Sequence, residues 1–236
     1  MPLPFPIIAM YALLVPCAAS FTYIRCRSLK RMTVSATILK GLSTWVIVCA
    51  ALVGTLGAFG QPSVFSTLII AGLVMGLSGD VALSLSRPDR TGFVAGMFFF
   101  GLGHLCYIAA LIVVSDPVPI LASVPVFAVL YAVFIVVLLR RRASLEKMFV
   151  PVLVYGTIVV YMLGLSLTVP FSVFPLGLIL FFAGGLFAAS DSLLARNNFS
   201  AGARSLGPSS AGREVLLLFL YFSAQSLFAV SVFYFA

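Results

Sequence analysis

The sequence predicts an all-α, polytopic membrane protein, a bundle of eight transmembrane helices, and three observations carry that prediction. Of 236 residues, 62% are hydrophobic and only 8% are charged, more apolar surface than a water-soluble chain of this length can hide. The apolar runs are continuous over about twenty residues, the length that crosses a hydrocarbon core as a helix. Barrel strands would instead alternate over about ten. Thirteen of the fourteen basic residues fall in alternate connections between those runs.

Charges, prolines and glycines bound the eight runs in turn, giving one transmembrane domain over 1–236. The first, 5–24, ends in the small residues Ala18, Ala19 and Ser20. No basic residue precedes it, so it is expected to persist as a span rather than be cleaved as a secretory signal. The second, 33–57, carries Lys40, and the third, 63–86, carries Gly72, Gly76 and Asp80 at every fourth position. That stripe of small residues lets another helix approach closely. The fourth, 92–114, holds His104 and Tyr107 three apart and so on one face. The fifth, 118–139, lies between Asp116 and Arg140, and the sixth, 148–168, contains Pro151 and Tyr155. In the seventh, 172–195, Gly177, Gly184 and Asp191 recur every seven residues and project in nearly the same direction. The eighth, 214–235, places Tyr221 and Gln225 four apart. The longest connection, 196–213, is rich in Gly and Ser and reads as a flexible loop.

A net charge of +8 would suggest nucleic acid as partner in a soluble protein, but its placement points to membrane topology. Arg25, Arg27, Lys30 and Arg31 lie in the first connection, Arg87 and Arg90 in the third. Arg140, Arg141, Arg142 and Lys147 lie in the fifth, with Arg196, Arg204 and Arg213 in the seventh. The positive-inside rule makes these connections cytosolic and both termini non-cytosolic. On that topology the Asn198-Phe199-Ser200 sequon never meets the glycosylation machinery. The host membrane is the endoplasmic reticulum in a eukaryote or the inner membrane in a bacterium; oligomeric state is left open. Cys17, Cys49 and Cys106 fall within spans and Cys26 at a cytosolic edge, where an inert thiol is a plainer expectation than palmitoylation. With no CxxC pair and a single histidine, neither a disulfide framework nor a metal site is expected.

Four of the six acidic residues, Asp89, Asp116, Glu146 and Glu214, lie at span ends or in connections. Asp80 and Asp191 do not. A charge inside a span costs a few kcal/mol on insertion scales, so such residues face the bundle interior and mark functional paths. The plainer alternative is a hydrogen-bonded Asp that only ties helices together. Asp80 lies seven residues before Arg87, and Asp191 five before Arg196. Both carboxylates therefore sit roughly 8–10 Å inside the cytosolic boundary. Lys40 reaches a comparable level, and His104, Tyr107, Tyr221 and Gln225 lie somewhat deeper. A short echo, Gly79-Asp80-Val81-Ala82-Leu83 against Ser190-Asp191-Ser192-Leu193-Leu194 four spans later, suits a weak 4+4 internal repeat of parallel orientation.

In this order the residues resemble the YhhN-like lysoplasmalogenase family of membrane proteins. The resemblance runs from Lys40 through Gly79-Asp80, Phe93-Val94-Ala95-Gly96 and His104-Leu105-Cys106-Tyr107. It continues through Pro151 and Tyr155, Gly185-Leu186-Phe187, Ser190-Asp191 and Leu194-Ala195, to Tyr221 with Ala224-Gln225. It covers about residues 38 to 230. Family members often have a proline soon after the lysine, where this chain has Gly41, Leu42 and Ser43.

The resemblance implies hydrolysis of the vinyl-ether bond of a lysoplasmalogen, with ethanolamine or choline headgroup, to a fatty aldehyde and a glycerophospho-base. Asp80 and Asp191 are then the expected catalytic pair, with no metal or organic cofactor. Vinyl-ether cleavage needs an acid for the alkene carbon and a water for the resulting oxocarbenium ion. Two carboxylates in a low-dielectric site can divide that work, one protonated and one ionised, with Asp80 the expected acid. His104, Tyr107, Tyr155, Tyr221 and Gln225 would support the site. Lys40, with Arg87 or Arg90, would hold the phosphate unless it snorkels to the headgroups. The competing class is a proton- or ion-coupled transporter, since intramembrane carboxylates also relay protons. An intramembrane aspartyl protease fits less well, because Leu77-Ser78 stands where Gly-x would precede Gly79-Asp80, and no Gly-x-Ser-x-Gly elbow supports a serine hydrolase.

Overall fold

The computed structural model describes residues 5–27, 33–59, 61–85, 91–168, 173, 177–199 and 209–234. Among these, all regular structure is helical. Eight long helices are each apolar enough to cross a membrane: α1 (Phe5–Arg27), α2 (Val34–Phe59), α3 (Val64–Ser84), α4 (Thr91–Val114), α5 (Pro117–Arg140), α7 (Phe149–Thr168), α8 (Leu178–Phe199) and α9 (Ser209–Ser231). A single turn, α6 (Arg142–Leu145), and a 3-10 turn, Glu146–Met148, join α5 to α7. The seventh helix begins six residues later than expected and runs past Arg196 to Phe199. The eighth begins five residues earlier than expected, so the 196–213 connection shortens to 200–208, which lies outside the described residues.

Local chemistry accounts for several boundaries. Ser63 caps α3, its hydroxyl accepting from the Ser66 amide at 3.0 Å. Pro117 occupies the first turn of α5, where no intrahelical N–H is required. Glu146 is held at φ 49°, ψ −121°, a conformation that ordinarily selects glycine. It reverses the chain so that Leu145 and Met148 join a buried cluster with Phe93, Met97, Leu138 and Phe199.

The helix packing repeats. α1 packs on α2, α2 on α3 and α3 on α4; likewise α5 packs on α7, α7 on α8 and α8 on α9. The halves are joined reciprocally, α2 against α9 and α7 against α4. α9 also touches α1 and α3, for which α4 shows no equally extensive counterpart in the other half among the described residues. The closest approach is α3 to α4, where a Cβ on Gly103 would lie 3.0 Å from the Gly72 carbonyl. The Tyr107 ring fills the space a Gly72 side chain would take, and the Gln225 amide does the same at Gly76. The small-residue stripe of the third span is thus filled by α4 and α9. α5 is the opposite extreme, with only 6% of its span buried, and among the long helices it packs closely only on α7.

At one end of the bundle Arg25 Nε lies 3.2 Å from Glu214 Oε1, tying the end of α1 to the start of α9. That end, where Arg140, Arg141, Arg142 and Arg196 also lie by helix polarity, is called the basic end below.

Candidate active site

Both intramembrane aspartates face the interior, each in its own cluster. Asp80, on α3, is 2% exposed. Lys40 Nζ on α2 lies 2.8 Å from its Oδ1, and Oδ2 accepts from Thr44 Oγ1 at 2.6 Å and Tyr221 OH at 2.8 Å. Gln225 Nε2, one turn along α9, donates to the Tyr221 oxygen at 2.6 Å. Lys40 also stands 5.6 Å from the centre of the Tyr221 ring and 6.0 Å from that of Phe21 on α1, a desolvated cation over aromatic faces. Its partner is therefore Asp80 within the bundle. Three donors converge on a group that has only acceptors when ionised, and burial without Lys40 would leave that charge uncompensated.

Asp191, on α8, has a different set. Tyr155 OH on α7 donates to Oδ2 at 2.9 Å, and His104 Nε2 on α4 lies 3.3 Å from the same oxygen. His104 is fully buried, and its Nδ1 is 2.6 Å from the Phe100 carbonyl. A carbonyl only accepts, so Nδ1 carries a hydrogen. Nε2 would then meet the carboxylate lone pair to lone pair unless the pair holds one further proton, on the imidazole or on the carboxyl group. Both contacts are to Oδ2, and the side chain retains 12% exposure.

The two clusters draw their donors from corresponding helices. Thr44 and Tyr155 each donate to an aspartate 36 residues further on, from the second long helix of a half to its third. The remaining partners cross over: Tyr221 reaches Asp80 from the last helix of the other half, and His104 reaches Asp191 likewise. Between the clusters lies a wall of rings. Phe187 meets His104 at 4.6 Å and Tyr221 at 5.7 Å, and Phe100 meets Tyr221 at 6.0 Å. Tyr107 stacks on Phe228 at 4.1 Å, and its buried hydroxyl has no hydrogen-bond partner among the described residues.

Asp191 also lines a cavity of about 360 Å³ between α4, α5, α7 and α8. Its walls are apolar, with Met97, Phe100, Phe134, Val159 and Phe199 prominent, and Arg141 and Arg196 line it as well. Tyr155 borders the same space. A single apolar chain fits such a lining, with the Asp191 carboxyl group and Tyr155 in its wall.

All eight residues singled out from the sequence thus fall in these two clusters or, for Tyr107, in the ring layer beside them. Thr44 was missed, although it stands one helical turn after Lys40 on the same face. The Phe100 carbonyl, one turn before His104, carries no side-chain signal at all. Arg87 and Arg90, expected at the phosphate, lie outside the described residues.

Comparison with known proteins places the chain in context. The model of the YhhN family matches residues 35–232, which takes in every helix except α1. No curated protein and no solved structure matches.

Proposed function

Since the chain belongs to the YhhN family, the family of lysoplasmalogenases, we propose that it hydrolyses the vinyl-ether bond of lysoplasmalogens, with Asp191 as the group that meets the substrate. The observation that carries this reading is the 3.3 Å contact of His104 Nε2 with Asp191, a carboxyl group that itself lines an apolar cavity, an arrangement suited to sharing one proton.

The chemistry follows from that pair. Its proton passes to the alkene carbon remote from oxygen, leaving an oxocarbenium ion at the carbon attached to oxygen. The pair, now one proton poorer, faces the cation it has created. It accepts a proton from the attacking water as the new C–O bond forms, and is restored. The hemiacetal then separates into a fatty aldehyde and the glycerol hydroxyl of a glycerophospho-base. Tyr155 holds Asp191 in place through Oδ2.

On this reading Asp191, not Asp80, is the acid, the reverse of the division expected from sequence. Asp80, accepting from Thr44 and Tyr221 and paired with Lys40, acts as a positioning residue. It fixes Tyr221 and, through it, the Phe100 and Phe187 rings that back His104. The substrate is a lysoplasmenyl lipid with ethanolamine or choline headgroup, drawn from the membrane in which the chain resides.

The test is aldehyde release from lysoplasmenylethanolamine and lysoplasmenylcholine by purified protein in detergent, with Asp80→Asn and Asp191→Asn alongside. Activity that Asp191→Asn abolishes in folded protein supports the reading. Folded native protein that releases no aldehyde from either lipid removes it. Proton-coupled transport would then stand first, with the intramembrane Lys40–Asp80 pair as its favouring observation.

A further inference from the structure

We infer that Arg141 and Arg196 form a subsite for the phosphate group of a single-chain lipid whose tail occupies the cavity beside Asp191. This inference rests on the proposed hydrolase reading for its choice of lipid, and extends it to the residues that recognise the headgroup.

Both arginines line the cavity, and among the described residues they are its only basic lining residues. They come from different helices, Arg141 capping the end of α5 and Arg196 in the last turn of α8. Three other arginines of the basic end have partners of their own. Arg25 pairs with Glu214, Arg27 donates to the Tyr23 hydroxyl, and Arg142 stands over the Phe149 ring. Neither Arg141 nor Arg196 has an acidic partner among the described residues. Two guanidinium groups bordering an apolar space ask for an anion attached to something apolar. Planar guanidinium forks match phosphate oxygens with paired charge-assisted hydrogen bonds.

Spacing agrees with the chemistry. Asp191 and Arg196 are five residues apart on α8, a rise of about 7.5 Å. In an ether-linked lysophospholipid, six bonds separate the first chain carbon from phosphorus, about 7 Å when extended at ordinary bond lengths. A phosphate on the arginines therefore sets that carbon level with Asp191. The tail is left to the apolar walls, where Met97, Phe134 and Val159 lie. Lys40 takes no part, since Asp80 holds it.

The experiment measures binding, not turnover, so that its result is independent of the reaction. Saturated 1-O-hexadecyl-lysophosphoethanolamine, which has no vinyl bond to cleave, is titrated onto the full-length protein in detergent by native mass spectrometry. 1-O-hexadecylglycerol, which lacks the phosphate, and inorganic phosphate are titrated in parallel. The native protein is expected to bind the phospholipid at least about tenfold more tightly than the alkylglycerol. Arg141→Gln with Arg196→Gln should remove that preference and leave alkylglycerol binding intact, which also reports that the fold survives. Arg140→Gln, a single Arg→Gln change next to Arg141 but outside the cavity lining, should change neither. Equal binding of the two lipids by native protein would overturn the proposal, as would a preference that survives in the double variant. Inorganic phosphate binding as tightly as the phospholipid would overturn the assignment to a lipid. Phosphate-selective binding without aldehyde release would leave this subsite standing and remove the hydrolase.

Discussion

His104 presents Nε2 to Asp191 Oδ2 at 3.3 Å while the Phe100 carbonyl holds its other nitrogen at 2.6 Å. The carbonyl contact puts a hydrogen on Nδ1, and the other contact suits the proposed sharing of a proton between ring and carboxyl group. If that proton starts the reaction, His104→Phe should lower kcat by about 10²–10⁴-fold, the usual contribution of a positioned acid, with a much smaller change in KM. Asp191→Asn should be at least as severe. Tyr155→Phe, which removes only the hydroxyl on Oδ2, should fall between native and His104→Phe. Aldehyde release under saturating lysoplasmenylethanolamine reads all three. An unchanged kcat in His104→Phe would detach the histidine from the chemistry.

The Lys40–Asp80 pair makes a prediction about stability. Removing one partner of a buried pair costs about 3–5 kcal/mol, because the other charge is left uncompensated. Lys40→Met should therefore lower the thermal midpoint in detergent sharply. Lys40→Met combined with Asp80→Asn should recover much of that loss, since the orphaned carboxylate has gone. A double variant as unstable as the sum of the single ones would mean that the two groups do not interact.

The cavity wall contains a contact that can be moved. A Cβ on Gly156 would collide with the Phe134 ring, and both residues border the cavity. Gly156→Ala should drive that ring into the tail space at a strain of about 1–3 kcal/mol, lowering kcat/KM for long-chain substrate. Adding Phe134→Leu should restore it. Steady-state kinetics on long- and short-chain lysoplasmalogens distinguish this from general damage, which would lower both equally and resist rescue.

Glu146 offers the opposite sign. Its φ of 49° with ψ −121° is costly for any residue with a Cβ, by about 1–3 kcal/mol, and free of that cost for glycine. Glu146→Gly should raise the thermal midpoint, by roughly 2–4 °C per kcal/mol in a chain of this size. A lowered midpoint would show that the Glu146 side chain contributes more than its backbone conformation costs.

The fold was largely legible because lipid simplifies the problem. Charges are expensive inside a span, so they mark where spans stop, and α1 to α5 begin within one residue of their expected starts. The same cost made Asp80 and Asp191 visible. What could not be read was partnership. Lys40 and Asp80 are each recognisable alone, but their contact depends on how α2 lies against α3, which composition does not encode. Twenty-two phenylalanines hide the two, Phe100 and Phe187, that separate the clusters. Arg141 and Arg196 looked like ordinary members of a basic border, because only the placement of α5 and α8 brings both to one cavity.

The crossing of donors between the halves has a consequence for what such a chain can become. A true symmetric dimer of four-helix subunits would be obliged to keep its two carboxylates in identical surroundings. Here, with both halves on one polypeptide, one aspartate has a lysine clamped to it while the other borders an open space. Yet neither half is self-sufficient, because Tyr221 belongs to one and serves the other, as His104 does in return. Fusion lets the two centres diverge, and the exchanged side chains keep them from parting.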